Sequence, residues 1–335
     1  MRGIFGILSA MLITILVMLS NLFITMNQSD PEQEPDNPQS YHIQIITQNT
    51  DEHFWTLFQE GARKASKDFN LYAEFVPITP GNPTVLAETI EKAVYSKVDG
   101  IALQPADYEK TKAVINMALD SGIPVVNYEN DKYLIKEIAA IGSNSYDIGY
   151  TAGSMVRPAV KGEANIAVIL AAGSNQGDSQ YKNMKVQGIL DAISSYGKVN
   201  ISEIYTLDPG MFEGERLANT ILTEHKDINV ILCTDEKSTP AVAQVLVDSN
   251  KVGDVKVIGY GTMPQTLNYI RKGVIYGTVC PDAYKIGYQT VEQLYNSIKK
   301  EAVSDSIYTE TFTIDNTNVD QYNMENKEVK NENIR

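Results

Sequence analysis

Short apolar runs rich in Val and Ile alternate with amphipathic stretches from residue 42 to residue 313, and the rhythm never breaks. Runs suited to strands fall at 42–47, 72–77, 99–103, 123–127, 138–142, 165–171, 200–206, 228–233, 255–260, 275–280 and 308–313. Helical patterns lie between most of them, at 83–97, 107–120, 145–157, 180–195, 213–225, 239–249 and 283–299. Strands this continuously apolar must be covered on both faces, which demands parallel sheets sandwiched by helices. The segment DSGIPVV at 120–126 shows the local logic: Gly122 ends a helix in a left-handed conformation, Pro124 prevents its continuation, and a strand begins. Eleven runs are too many for one sheet of the usual ~4–6 strands. The rhythm also changes where AAIGSNSYDIG, at 139–149, joins strand to helix through a polar corner. The expected fold is therefore α/β, with two doubly wound parallel-sheet lobes.

The chain before this pattern differs in kind. Residues 4–26 hold no charge and no His. As a helix they span ~34 Å at 1.5 Å per residue, enough for a bilayer core. Arg2 precedes them and the acidic SDPEQEPDNPQ follows, so the N-terminus stays inside and the remainder is exported. A cleaved signal peptide is the alternative. The length of the run and the lack of a small-x-small site near LFITMNQ favour an uncleaved membrane anchor, and no Cys is placed for a lipoprotein. Residues 27–40, with four acids and three Pro, read as a linker, and 323–335 as a polar, disordered tail.

Lys and Arg number 28 against 42 Asp and Glu, a net charge of −14 that argues against a nucleic-acid partner. The two cysteines, Cys233 and Cys280, read as buried free thiols, since no spacing brings them within disulfide reach. The Gly-rich AAGSNQGDSQ at 171–180 follows a strand and opens a helix, the context of a phosphate loop. Gly177 is followed by Asp178 where a phosphate loop needs Lys, and the Gly-x-Gly-x-x-Gly pattern is missing. His42, His53 and His225 lack metal-ligand spacing, and neither a Gly-x-Ser-x-Gly elbow nor Cys-x-x-Cys occurs. The sequence points to no catalytic residue, metal or cofactor.

Geometry leaves a binding function. In doubly wound sheets ligands sit outside the carboxyl ends of the strands. Those ends carry NTDEHFW, QPAD, NYEND, GSNQGDSQYKN, LDPGMF, TDEKS and PDAY. Planar hydrogen-bonding groups beside flat apolar faces suit a sugar, whose hydroxyls and C–H faces need both. The adjacent Phe54 and Trp55, the latter the sole Trp, are expected to stack on the ligand while neighbours such as Glu52 bond it. Core packing is the alternative for the two rings, and helix capping for Glu129, Asn130 and Asp235.

With these residues in view, residues 41–314 resemble the ribose/galactose-type periplasmic sugar-binding proteins, relatives of the ligand-binding domains of lac-repressor-like regulators. FWTLFQEGARKAS is similar to the family's first helix, and VDGIALQPAD and SGIPVVNYEND to its DGIIINPTD and GIPVVTLDR segments. YKNMKVQGIL, INVILCTDEKSTPAVAQVL and the stretch from VKVIGYGT to YQTVE follow in the family's order. The resemblance implies two lobes that close like a hinge on a sugar, joined by three crossings near 143, 281 and 309, with helix 283–299 returning to the first lobe. It divides the chain into lobe 1 (41–143 plus 282–309) and lobe 2 (144–281 plus 310–322). It implies ligand contacts from Glu52, Phe54, Trp55, Asp107, Glu129, Asn130, Lys185, Asp208, Phe212, Thr234, Asp235 and Asp282. Glu129-Asn130 stands where the family has Asp-Arg, Lys185 where it has Arg, Thr234-Asp235 where it has Asn-Asp, and Gly261 where it has the Asp of GFDG. Without a bidentate Arg, the resemblance points to a small polar ligand and to no particular sugar. The implied function is an extracytoplasmic binding protein that delivers a monosaccharide or similar ligand to an ABC-type permease. The alternatives are a membrane-tethered sensor signalling to a histidine kinase and, from another class, an exported α/β enzyme, for which no catalytic constellation is found.

Overall fold

The computed structural model describes residues 41–48, 53–79, 81–104, 107–129, 138–160, 162–171, 177–207 and 212–322. The expected anchor, linker and tail lie outside them. No helix among the described residues is long and apolar enough to cross a membrane.

The first sheet contains β1 (His42–Gln48), β2 (Tyr72–Ile78), β3 (Gly100–Leu103), β4 (Val125–Tyr128), β5 (Ala139–Gly142) and β11 (Ser306–Tyr308), in the order β11-β5-β4-β3-β1-β2. Every pairing in it is parallel, with Ile43 of β1 opposite Ala73 of β2 and Gly100 of β3. β3 and β4 are buried along their whole length, as strands covered on both faces must be. One face packs on helices α1 (His53–Asp68) and α10 (Ala283–Lys299), around Ile45, Phe58, Val126, Ile286 and Leu294. The other packs on α2 (Pro83–Tyr95) and α3 (Tyr108–Asp120), around Ile46, Leu86, Ile90, Ile101 and Ile115. Asn82 starts α2 by accepting from the amides of Thr84 and Val85 at 3.2 Å, with Pro83 in the first turn where its missing N–H costs nothing. Gly122 closes α3 at φ +78°, the left-handed exit that the DSGIPVV segment requires.

The second sheet repeats this plan with β6 (Ala164–Leu170), β7 (Val199–Thr206), β8 (Val230–Cys233), β9 (Lys256–Tyr260), β10 (Gly277–Pro281) and β12 (Thr311–Asp315), in the order β12-β10-β9-β8-β6-β7. Helices α4 (Ser145–Ser154), α5 (Val156–Ala159) and α6 (Gly177–Ile193) cover one face; α7 (Glu213–Glu224), α8 (Ser238–Asp248) and α9 (Pro264–Arg271) cover the other.

One expectation is corrected here. The run at 308–313 is two strands, β11 in the first sheet and β12 in the second, separated by Thr309 and Glu310. β12 pairs antiparallel with β10, Thr311 lying opposite Pro281, so the second sheet is not wholly parallel. The reason is topological. The chain leaves the first sheet at the carboxyl end of β11 and enters the second at the carboxyl end of its strands, so it must run down the edge in reverse. Cys233 and Cys280 are free and buried on β8 and β10. With β9 between those strands, they lie at least two strand spacings (~9–10 Å) apart, beyond disulfide reach.

Both lobes use the same helix contact. On α1 and α10, a Cβ on Gly61 would stand 1.9 Å from the Tyr284 carbonyl oxygen, and one on Gly287 would stand 2.0 Å from that of Phe58. On α4 and α6, Gly149 meets the Lys185 carbonyl at 2.0 Å and Gly188 meets that of Tyr146 at 2.2 Å by the same measure. Each glycine lies three residues after the carbonyl its partner touches, so the pairs are reciprocal. Only glycine permits such backbone-to-backbone approach.

Candidate functional site

The strand order reverses around β1 in the first sheet, whose neighbours are β2 and β3, and around β6 in the second, whose neighbours are β7 and β8. The crevices outside the carboxyl ends at these reversals are where such sheets receive ligands. Phe54, Trp55, Gln104, Glu129 and Ser143 stand at the strand ends of the first lobe, and Thr234, Asp235, Tyr260, Thr262 and Asp282 at those of the second.

In the first lobe, Phe54 and Trp55 occupy the opening turn of α1 and both are buried. Trp55, 7% exposed, meets Phe54, Phe58 and Tyr128 edge-on at centroid distances of 4.9, 5.7 and 6.0 Å. Tyr128 ends β4 with no exposed surface and donates its hydroxyl to the Ile46 carbonyl at 2.6 Å; burial pushes its pKa far up. Four rings thus form one packed cluster between the start of α1 and the end of β4. Just past Tyr128, Glu129 sits at φ +48°. The other non-glycine residues with positive φ among those described are Asn70, Lys97, Lys198, Asn250 and Lys300, found in turns at helix ends or before β7. Glu129 alone of these follows a strand directly. Its carbonyl accepts from Gln104 Nε2 at 3.0 Å, and its Oε1 from Ser143 Oγ at 3.1 Å. Groups at two neighbouring strand ends therefore hold Glu129, one by its carbonyl and one by its carboxylate, in a conformation that costs a non-glycine residue ~1–2 kcal/mol.

The second lobe contributes a cation. Lys185 on α6 is 5% exposed; its Nζ donates to the Thr234 carbonyl at 3.4 Å and lies 4.8 Å from the centre of the Tyr260 ring. Thr234 Oγ1 accepts from the Ala171 amide at 3.2 Å, tying the end of β8 to that of β6 across the reversal. Asp235 accepts from the amides of Lys237 and Ser238, at 3.1 and 2.9 Å, and from the Ser238 hydroxyl. It precedes α8 and is half-buried.

Of the other residues expected from the sequence, Asp107 caps α3 and pairs with Lys110 at 3.1 Å, whose hydrogen bond holds its carboxyl below the usual range. Asp282 caps α10 through the Lys285 amide at 2.9 Å. Phe212 is 71% exposed before α7 and touches none of this cluster. Glu52, Asn130 and Asp208 lie outside the described residues. Among the described residues no group of acids, His and Cys is arranged to hold a metal ion. A cavity of about 490 Å³ adjoins the crossing at Pro281 and Asp282, lined also by Leu57, Tyr284 and Phe312; of the residues expected from the sequence only Asp282 reaches it.

Sequence reasoning missed Glu236. It is 4% exposed, its Oε1 accepting from the Thr262 amide at 3.0 Å and its Oε2 from the Phe54 amide of the other lobe at 3.3 Å. Burial raises its pKa, against the pull of backbone donors that include the His53 amide. The available signal was Gly261, at φ +82°, where a Cβ would lie 2.1 Å from Glu236 Cγ. The left-handed backbone favours glycine there, and the Glu236 side chain fills the space beside it. Tyr128, Ser143 and Tyr260 were also missed, as ordinary strand-end residues with no mark in sequence.

Comparison with known proteins agrees with this geometry. Residues 43–302 match the periplasmic binding protein domain. The D-ribose/D-allose-binding protein of Pseudomonas aeruginosa is 22% identical over 255 residues, covering 72% of this chain and 77% of its own. The structure of a glucose-galactose binding protein from Geobacillus stearothermophilus superposes with a TM-score of 0.73 at 27% identity, covering 83% of this chain and 98% of that one. A solute-binding protein from Burkholderia graminis, solved in complex with D-arabinose, superposes at 0.75 with 22% identity, covering 84% and 97%. These matches are binding proteins, not enzymes. With its two wound lobes and a family match over most of its length, the chain belongs to the periplasmic binding protein domain family.

Proposed function

We propose that this chain is an extracytoplasmic binding protein that closes two lobes around a monosaccharide or similar small polar ligand and delivers it to an ABC-type permease. The observation that carries this reading is the convergence, at the two points of strand reversal, of polar groups over an aromatic floor. Glu129 and Ser143 serve the ligand from one lobe in this reading, and Lys185, Thr234 and Asp235 from the other; their hydrogen bonds at the strand ends support it. In this reading Glu129 and Asp235 accept from ligand hydroxyls, Lys185 donates to a ring or hydroxyl oxygen, and the Trp55 edge meets the C–H face. Glu52, Asn130 and Asp208 belong to the same proposed contact set, and Asp107, Phe212 and Asp282 to its rim. The lobes comprise 41–143 with 282–309 and 144–281 with 310–322, a partition supported by the sheet to which each strand belongs. Chain crossings near 143, 281 and 309 act as the hinge, and residues 4–26 tether the protein to the cytoplasmic membrane.

The test is a thermal-shift screen of the full-length protein in detergent against D-ribose, D-allose, D-arabinose, D-glucose and D-galactose. A ligand at 100 times its dissociation constant adds ~2.7 kcal/mol and a clear rise in midpoint. A flat response to every sugar in the panel overturns the reading. A second reading, a membrane-tethered sensor engaging a histidine kinase, is favoured by one observation. The uncharged run at 4–26 contains no lipoprotein Cys, and its anchor is read as uncleaved.

A further inference from the structure

The single hydrogen bond that joins Glu236 to Phe54 links residues 182 positions apart and belongs to opposite lobes. Glu236 follows β8 in the second lobe, and Phe54 lies in the first turn of α1 in the first. The same carboxylate accepts from Thr262 within its own lobe, and the His53 amide also faces it. We propose that Glu236 is an interlobe clasp: its carboxylate caps the N-terminus of α1 and holds a fraction of the molecules closed when no ligand is bound.

Three features make this more than a chance contact. The unpaired amides at the start of a helix carry partial positive charge, and a carboxylate is the side chain that best satisfies them. The reach also uses the space left by Gly261, where a Cβ would lie 2.1 Å from Glu236 Cγ. Finally, among the described residues no cation is paired with Glu236. The groups facing it are Asp235 on its own segment, the buried thiol of Cys280 on β10, and the amides of His53, Phe54 and Thr262. Closure therefore exchanges hydration of a carboxylate for two additional amide bonds, terms of similar size and opposite sign. A near balance gives a clasp that populates the closed form without locking it, and leaves a ligand able to decide the outcome.

The clasp does not depend on which ligand the crevice takes, so its test uses ligand-free, full-length protein in detergent. Spin labels are placed at Tyr95→Cys on α2 and Val247→Cys on α8, both exposed and one in each lobe. Their distance distribution should contain a short, closed population that Glu236→Gln and Glu236→Ala each reduce severalfold. Glu236→Gln keeps the shape but turns one acceptor into a donor facing an amide. Amide exchange by NMR gives the second readout. Phe54 and Thr262 should both exchange about tenfold faster or more in Glu236→Gln, because both lose a charged acceptor. Acceleration at Thr262 alone, with unchanged label distances, would reduce Glu236 to a residue serving its own lobe and overturn the proposal. A wild-type distribution without the closed population would overturn it as well. Loss of sugar binding with the clasp intact would count against the proposed function and leave this inference standing.

Discussion

Gly287→Ala should destabilise the first lobe although it improves the helix it sits in. Alanine is favoured over glycine in a helix interior by ~1 kcal/mol, so by propensity alone the change would stabilise. The added methyl carbon, however, would stand 2.0 Å from the Phe58 carbonyl oxygen. Even close Cα–H···O contacts keep carbon and oxygen ~3.3 Å apart, so α1 and α10 must separate by roughly 1.3 Å. A gap of that size forfeits about half or more of the dispersion energy between facing atoms, and the face concerned holds Phe58, Ala62, Ile286 and Val291. Overpacking of this kind costs ~1–3 kcal/mol, occasionally more. Because the misfit is with rigid backbone on both sides, the upper end applies, and the net loss after the propensity gain is ~2 kcal/mol. Urea unfolding followed by Trp fluorescence reads the affected lobe, since the sole Trp, Trp55, lies one turn from Phe58 on α1. Gly197→Ala, with open space around its Cβ position, is the control and should leave the midpoint unchanged. Gly61→Ala should cost a similar amount, and the double variant less than the sum, because once the helices part the second methyl finds room. A Gly287→Ala protein as stable as wild type would refute the reasoning.

Trp55→Ala should cost ~3–5 kcal/mol of stability by opening a void among four rings, whereas Trp55→Phe should fold; equal urea midpoints for Trp55→Ala and wild type would show the cluster is not packed. Glu129→Gly should keep or gain stability by relieving the left-handed backbone while abolishing the thermal shift with any sugar that stabilises wild type; unchanged binding would remove Glu129 from the site. Cys233 and Cys280, both buried and with burial raising their thiol pKa values, should resist a thiol reagent in the native state and react as two equivalents per chain in urea; one fast native thiol would contradict the packing of β8 or β10.

The two wound lobes were legible because parallel strands buried on both faces leave unbroken apolar runs, as VVNY and VILC do. The division of 306–315 into β11 and β12 was not legible. SIYTETFTID carries no break in its pattern, and the change of sheet at Thr309 depends on pairing with partners about 30 and 170 residues away. At the proposed site, sequence reasoning placed Glu129, Thr234 and Asp235 at strand ends, where the structure has them, yet could not rank them. Capping and ligand contact call for the same short carboxylates, and Asp107 and Asp282 are seen capping helices. Phe54 and Trp55 pose the same difficulty in apolar form. A ring that floors a crevice is also a ring in the core, and the packing of Phe54 and Trp55 with Tyr128, brought in from β4, is the part that sequence pattern does not reveal.

Glu236 sharpens the point about what a single chain conceals. Its neighbour Asp235 draws attention because a carboxylate at the end of a strand suits a ligand hydroxyl, and a second acid beside it reads as surface charge. In the folded protein the roles are divided by direction. Asp235 turns back to open its own helix, while Glu236 points across the crevice to the helix of the other lobe. What permits the second direction is a missing side chain 25 residues later, at Gly261. Where a relative's pattern carries an acid at 261, a side chain there and the reach of Glu236 would compete for one volume. This chain resolves the competition in favour of the reach. If both proposals hold, the two properties should separate in the laboratory: variants at 129 and 235 should change sugar binding, and variants at 236 how often the empty crevice shuts.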